Sequence, residues 1–131
     1  MRKRIMTMLA AAAAGSLALA QAEPPPSPKP DGCFFVRNFE NWKASDARTI
    51  YIRVNFNRYY RLGLAGQCPA LLRPDARLIT VWRGSDVVCD ALDWDLKVSN
   101  GAHGIPVPCI VKTMTALTGA EAAAIPKEFK P

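Results

Sequence analysis

The clearest alternation of apolar and polar positions runs from Arg48 to Cys68, RTIYIRVNFNRYYRLGLAGQC. Ile50, Ile52, Val54 and Phe56 alternate with Thr49, Tyr51, Arg53 and Asn55, the period of a half-buried strand. Polar Asn55 to Arg58 predicts a turn, and Tyr60, Leu62 and Leu64 continue the apolar face on a returning strand. The opposite face of this hairpin carries Tyr51, Arg53, Tyr59 and Arg61.

The flanking segments follow from the same reading. CFFVRNF, Cys33 to Phe39, predicts a first strand, and Glu40 to Ala47 a polar connection. Trp42 in that connection is expected to fold back as a lid on the core; the alternative is an exposed aromatic platform for a sugar or peptide. Pro69 breaks the chain after the hairpin, and Ala70 to Asp75 predicts a short irregular or single-turn segment. Ala76 to Trp82 predicts a strand, Arg83 to Asp86 a turn, and Val87 to Ser99 a returning strand. Trp94, Leu96 and Val98 are out of phase with VVCDAL before them, so a bulge or bend is expected near Ala91 to Asp93. Asn100 to Pro108 reads as a loop and Cys109 to Thr115 as the last strand. Thr118 and Glu121 match a capping box, predicting a short helix through Ala124 that stops before Pro126. The sum is a mainly β fold, a small antiparallel barrel or sandwich of five or six strands with a short C-terminal helix. A barrel is attractive because closure hides the strand edges of a small sheet.

The N-terminal region changes the setting. Met1-Arg2-Lys3-Arg4 is basic, Ile5 to Ala20 is uncharged and apolar, and small-x-small patterns end at Ala20 and Ala22. Residues 1–22 are therefore expected to be a secretory signal peptide cleaved near Ala20 or Ala22, leaving no transmembrane anchor. Residues 23–32 hold five prolines and read as an extended linker. Residues 33–131 then form a single disulfide-stabilised β domain, periplasmic or secreted. Cleavage removes three cations and no acid, so the net charge falls from +6 to +3. That excess does not argue for nucleic acid.

Export also decides how the cysteines read. Cys33, Cys68, Cys89 and Cys109 include no close pair of the kind that holds zinc or forms a redox motif. Two disulfides are expected in an oxidising compartment. Four cysteines allow three pairings, and sequence alone does not choose among them. The preference is Cys33 with Cys89 and Cys68 with Cys109. In an up-and-down sheet, Cys68 follows the third strand and Cys109 opens the sixth at the same end.

Candidate chemistry is sparse. His103, the single histidine, lies in a loop with no acid–base partner in view. Asp93 and Asp95 would share one side of a strand and could hold a hard cation or act as paired carboxylates on a polymer. Lys97 beside them makes cross-strand charge pairing the simpler account. No cofactor, metal site or catalytic residue is expected. The Tyr51/Arg53/Tyr59/Arg61 face is the candidate binding surface, through stacking or anion contacts, against the plainer reading of a solvated sheet face.

Cys33-Phe34-x-x-Arg37, Trp42, Thr49-x-Tyr51-x-Arg53, Tyr60-x-Leu62-x-Leu64-Ala65-x-x-Cys68-Pro69, Cys89, Pro108-Cys109 and Leu117-Thr118-x-x-Glu121 form a series. It resembles a family of small exported four-cysteine proteins of Gram-negative bacteria, known only as a domain of unknown function. The resemblance implies an exported, four-cysteine single domain and brings no activity or ligand. The expected function is a non-catalytic binding or structural protein of the cell envelope, monomeric, with an envelope protein or polymer as partner. The alternative is a small hydrolase acting on envelope polymers through Asp93 and Asp95.

Overall fold

The computed structural model describes residues 32–82 and 86–131. The expected signal peptide 1–22, the expected linker apart from Gly32, and Arg83, Gly84 and Ser85 of the predicted turn lie outside the described residues. Within them the chain is mainly β, with several antiparallel sheets and one short helix near the C-terminus.

The alternating stretch forms β3 (Thr49–Val54) and β4 (Arg58–Leu64), paired antiparallel from Thr49↔Gly63 to Val54↔Arg58. Ile50, Ile52, Val54, Tyr60, Leu62 and Leu64 are all buried, as the period-two pattern requires. Phe56 departs from that pattern. It sits in the turn with φ 65°, next to Asn55 at φ 49°, and is 87% exposed. The reversal between Val54 and Arg58 needs left-handed backbone at two consecutive residues, which takes Phe56 off the strand and out of the core.

A second difference lies just before the hairpin. Phe34–Phe35 forms a short β1, Val36–Asn38 a 3-10 turn, and Phe39–Asp46 a full strand, β2, where the sequence predicts a connection. β2 pairs with β3 and is an edge strand with register shifts at Phe39/Asn41 and Ala44/Asp46. Only Trp42, Ala44 and Phe39 of it pack against the core, so its polar residues hide its strand character.

After β4, Pro69–Leu72 forms a 3-10 turn that buries Leu71. The chain then leaves this sheet. β5 (Ala76–Trp82) pairs along its length with β7 (Trp94–Asn100), from Ala76↔Asn100 to Trp82↔Trp94. Between them lie β6 (Val87–Val88) and a 3-10 turn at Ala91–Asp93, where the phase of the pattern breaks. β8 (Val107–Pro108) adds to β7, and β9 (Val111–Ala116) returns to pair with β4. The order is therefore β2-β3-β4-β9, β5-β7-β8 and β1-β6, in place of an up-and-down succession. The sheets do not close into a barrel; they face each other in a sandwich-like arrangement. Six of the nine strands among the described residues have six or more residues.

The core sits between the sheets. Phe34, Val88, Trp94, Leu96 and Val98 meet the apolar face of β3 and β4. Phe34 lies 5.2 Å from Tyr60 and 6.3 Å from Trp94, ring centre to ring centre. The disulfides are Cys33–Cys89 and Cys68–Cys109. Phe34 pairs with Val88, so Cys33 and Cys89 occupy the next rung of the β1–β6 ladder. Cys68 and Cys109 meet because β4 ends where β9 begins, with Leu64 opposite Val111. Bridges that tie such distant segments restrict the unfolded chain and contribute ~2–4 kcal/mol each.

Candidate functional site

β3 and β4 bring the four candidate residues together in two cross-strand pairs, Tyr51↔Arg61 and Arg53↔Tyr59. They stand on the face away from the main core, but that face is not bare. Leu117 N donates to Tyr59 O at 2.9 Å and turns the chain after β9 across the sheet. Thr118 then caps helix α1 (Gly119–Ala123): its hydroxyl accepts from Glu121 N at 3.2 Å, and Glu121 Oε2 accepts from Thr118 N at 2.8 Å. This reciprocal cap lets so short a helix start at a defined place.

Leu117 before the helix, Ala122 in it and Ile125 after it form a second small apolar cluster with Tyr51, Tyr59 and Phe129. Lys130 Nζ stands 5.3 Å from the centre of the Tyr59 ring. Arg53 donates to Glu40 Oε2 at 3.0 Å and to the backbone oxygen of Pro131 at 3.3 Å. The tyrosines and Arg53 are thus largely taken up by the protein's own packing. Arg61 is exposed and makes no ion pair among the described residues. It borders a cavity of about 230 Å³ with Tyr51, Leu117, Glu121, Ala124 and Ile125.

The acidic candidates are arranged differently from a catalytic pair. Asp93 ends the 3-10 turn, and its Oδ2 accepts from Cys89 N at 2.7 Å and Asp90 N at 3.1 Å. Asp90 Oδ1 accepts from Leu92 N at 2.7 Å. This is a capping box, so Asp93 serves the local backbone. Asp95 stands on β7 opposite Val81. His103 is exposed in the loop before β8. Among the described residues, no three His, Cys, Asp or Glu side chains converge on a point that could hold a metal ion.

One surface escaped the sequence reading. A groove of about 500 Å³ runs beside β2, between the Pro69–Leu72 turn and the segment around Glu128 and Phe129. It is lined by Trp42, Lys43, Ala44 and Ser45 of β2 and by Leu71, Leu72, Arg73 and Ala76. Trp42 is half-buried and packed against the core, as the lid reading expects, and it also borders the groove. The groove was not legible because it depends on Glu40 to Ala47 being an edge strand.

These features define a class: a small, mainly β protein linked by two disulfides. Within that class, the chain belongs to the family of unknown function DUF6491, whose model matches residues 2–130. No curated protein and no solved structure matches it. The two disulfides suggest an oxidising, extracytoplasmic environment. No helix among the described residues is long and apolar enough to cross a membrane.

Proposed function

We propose that this is an exported, non-catalytic binding protein of the cell envelope, delivered by the N-terminal signal segment 1–22. Its contact surface is the part of the Tyr51/Arg53/Tyr59/Arg61 face centred on Arg61. The observation that carries this reading is the state of Arg61. It is an exposed guanidinium beside the Tyr51 ring, at the mouth of a cavity, with no carboxylate paired to it among the described residues. A planar, permanently charged donor in that position suits anionic or polar groups on a partner.

The hydrolase alternative receives less support, because Asp93 is committed to capping the turn before β7. The test is crosslinking and pull-down from the envelope fraction with the oxidised protein. Arg61→Glu should abolish capture of a partner that the parent protein retains, while Lys127→Glu, on the exposed last turn, should not. Equal capture by the parent and Arg61→Glu proteins would reject the surface. Hydrolysis of envelope polymer by the parent protein, lost in Asp95→Asn, would favour the alternative.

A further inference from the structure

The hydrogen-bond phase of the sheet shows which groups of β2 are unused. Leu64 N donates to Arg48 O at 2.8 Å, so Ile50, Ile52 and Val54 form the bonded pairs with β4. The alternate residues Thr49, Tyr51 and Arg53 must then bond to β2, because an inner strand directs successive residues to opposite neighbours. Their partners include Asn41 and Lys43. Trp42 and Ala44 therefore point their N–H and C=O groups away from the sheet. Trp42 N confirms this direction: it donates to the Asn41 side chain at 2.8 Å in place of a strand. Among the described residues, Ala44 N–H, Ala44 C=O and Trp42 C=O have no partner.

These outward groups open onto the groove of about 500 Å³. Its walls differ by face. On the core side lie Trp42, Leu71 and Leu72, the last 56% exposed. On the other lies Lys43, exposed and without an ion pair among the described residues, whereas Arg73, also in the lining, is paired with Asp75 at 3.4 Å. Glu128 is the one carboxylate in the lining, and Lys43 is the one lining cation without an ion pair among the described residues.

We infer that the free edge of β2 takes an extended segment of another protein as an added strand, one that alternates apolar and acidic side chains. The unused amide and carbonyl groups demand a peptide backbone, spaced as a strand spaces it. Every second side chain would enter the Trp42/Leu71/Leu72 wall, and those between would stand against Lys43. The Pro-rich residues 23–32 are a poor occupant, because proline brings no N–H to a ladder. This surface is separate from the Arg61 face, and either proposal can fail alone.

The probe is an acetylated, amidated heptapeptide of alternating valine and glutamate, titrated into the oxidised full-length protein and followed by backbone amide NMR. The Ala44 amide should shift with peptide concentration and its hydrogen exchange should slow. Methylating the alternate backbone nitrogens of the peptide, which removes its donors to Trp42 C=O and Ala44 C=O, should weaken binding by at least about tenfold. Ala44→Pro should do the same, since it deletes an outward N–H and leaves the β3 ladder intact. Lys43→Glu, which does not disturb the backbone, should weaken the glutamate peptide and favour a valine–lysine one. The inference is overturned if the methylated peptide binds as well as the parent, or if Ala44 does not respond at millimolar peptide. It is also overturned if Ala44 shifts with protein concentration alone, which would make the occupant a second copy of this chain.

Discussion

Glu40 holds Arg53 across the β2–β3 pair: Oε2 accepts from the guanidinium Nε at 3.0 Å. The other carboxylate oxygen accepts from Phe56 N at 2.7 Å, in the turn with left-handed backbone. One edge-strand side chain therefore fixes both the outer face of the hairpin and its tip. Glu40→Ala should lower stability by about 1 kcal/mol, the usual scale for partly exposed hydrogen-bonded ion pairs. Glu40→Gln should recover part of it through Phe56. Urea midpoints at constant slope measure both, and an unchanged midpoint for Glu40→Ala would show that the contact contributes nothing.

The two disulfides should differ in how readily they open and hardly at all in what they contribute. Cys68 and Cys109 are buried, whereas Cys33 and Cys89 are exposed. Limited reduction followed by alkylation and mass spectrometry should label Cys33 and Cys89 first. Their sequence separations, 56 and 41, are similar. Loop entropy then makes the two contributions equal to within about 0.3 kcal/mol. Paired serine variants at each bridge compare them directly.

Asp46 gives the molecule a defined acid response. Its Oδ1 accepts from Arg48 N at 2.7 Å in the β2–β3 turn, and this backbone bond holds its pKa below the usual 3.8. A depressed folded-state pKa means that the ionised form is favoured by folding. The stabilisation is present above 3.8, the unfolded value, and is lost as pH falls through the lower folded value. Asp46→Asn should flatten this part of the acid limb of the urea midpoint. A carboxyl NMR titration that put Asp46 at or above 3.8 would contradict the assignment.

Gly63 and Gly104 should respond unequally to alanine. A methyl at Gly63 on β4 would press on the Thr113 hydroxyl, the end of a side chain that can rotate away. A methyl at Gly104 would run into the Asn100 backbone, whose N and C lie at 2.8 Å and 2.9 Å from it. Backbone cannot yield so cheaply. Gly63→Ala should stay within about 1 kcal/mol of the parent, and Gly104→Ala should lose more, on the scale of overpacking. Thermal melts of the two variants decide the order.

Much of the local structure was legible because side-chain period reports burial directly. Ile50 to Val54, Tyr60 to Leu64, and Trp94 to Val98 each show which side of a strand is dry. The Thr118/Glu121 cap marks a helix start by chemistry that acts within four residues. The bend before Trp94 showed as a break in phase. β2 was not legible, since an edge strand with register shifts buries few side chains and keeps its polar ones. Phe56 misled for the opposite reason: it keeps the alternation while the backbone has already turned.

The candidate site divided along the same line. That Tyr51, Arg53, Tyr59 and Arg61 share a face follows from alternation alone. That the tyrosines lie beneath Leu117, Ile125 and Phe129, leaving Arg61 open, depends on where the chain after β9 is carried. The sequence by itself determined the mainly β character, the buried face of the central hairpin and the helix cap. The tertiary structure alone decided that β4 pairs with β9 and not β5, that β2 ends as a free edge, and that the sheets stay unclosed. The reason is physical: burial leaves a periodic trace in side-chain type, whereas the choice of neighbouring strand is made by backbone groups that every residue carries alike.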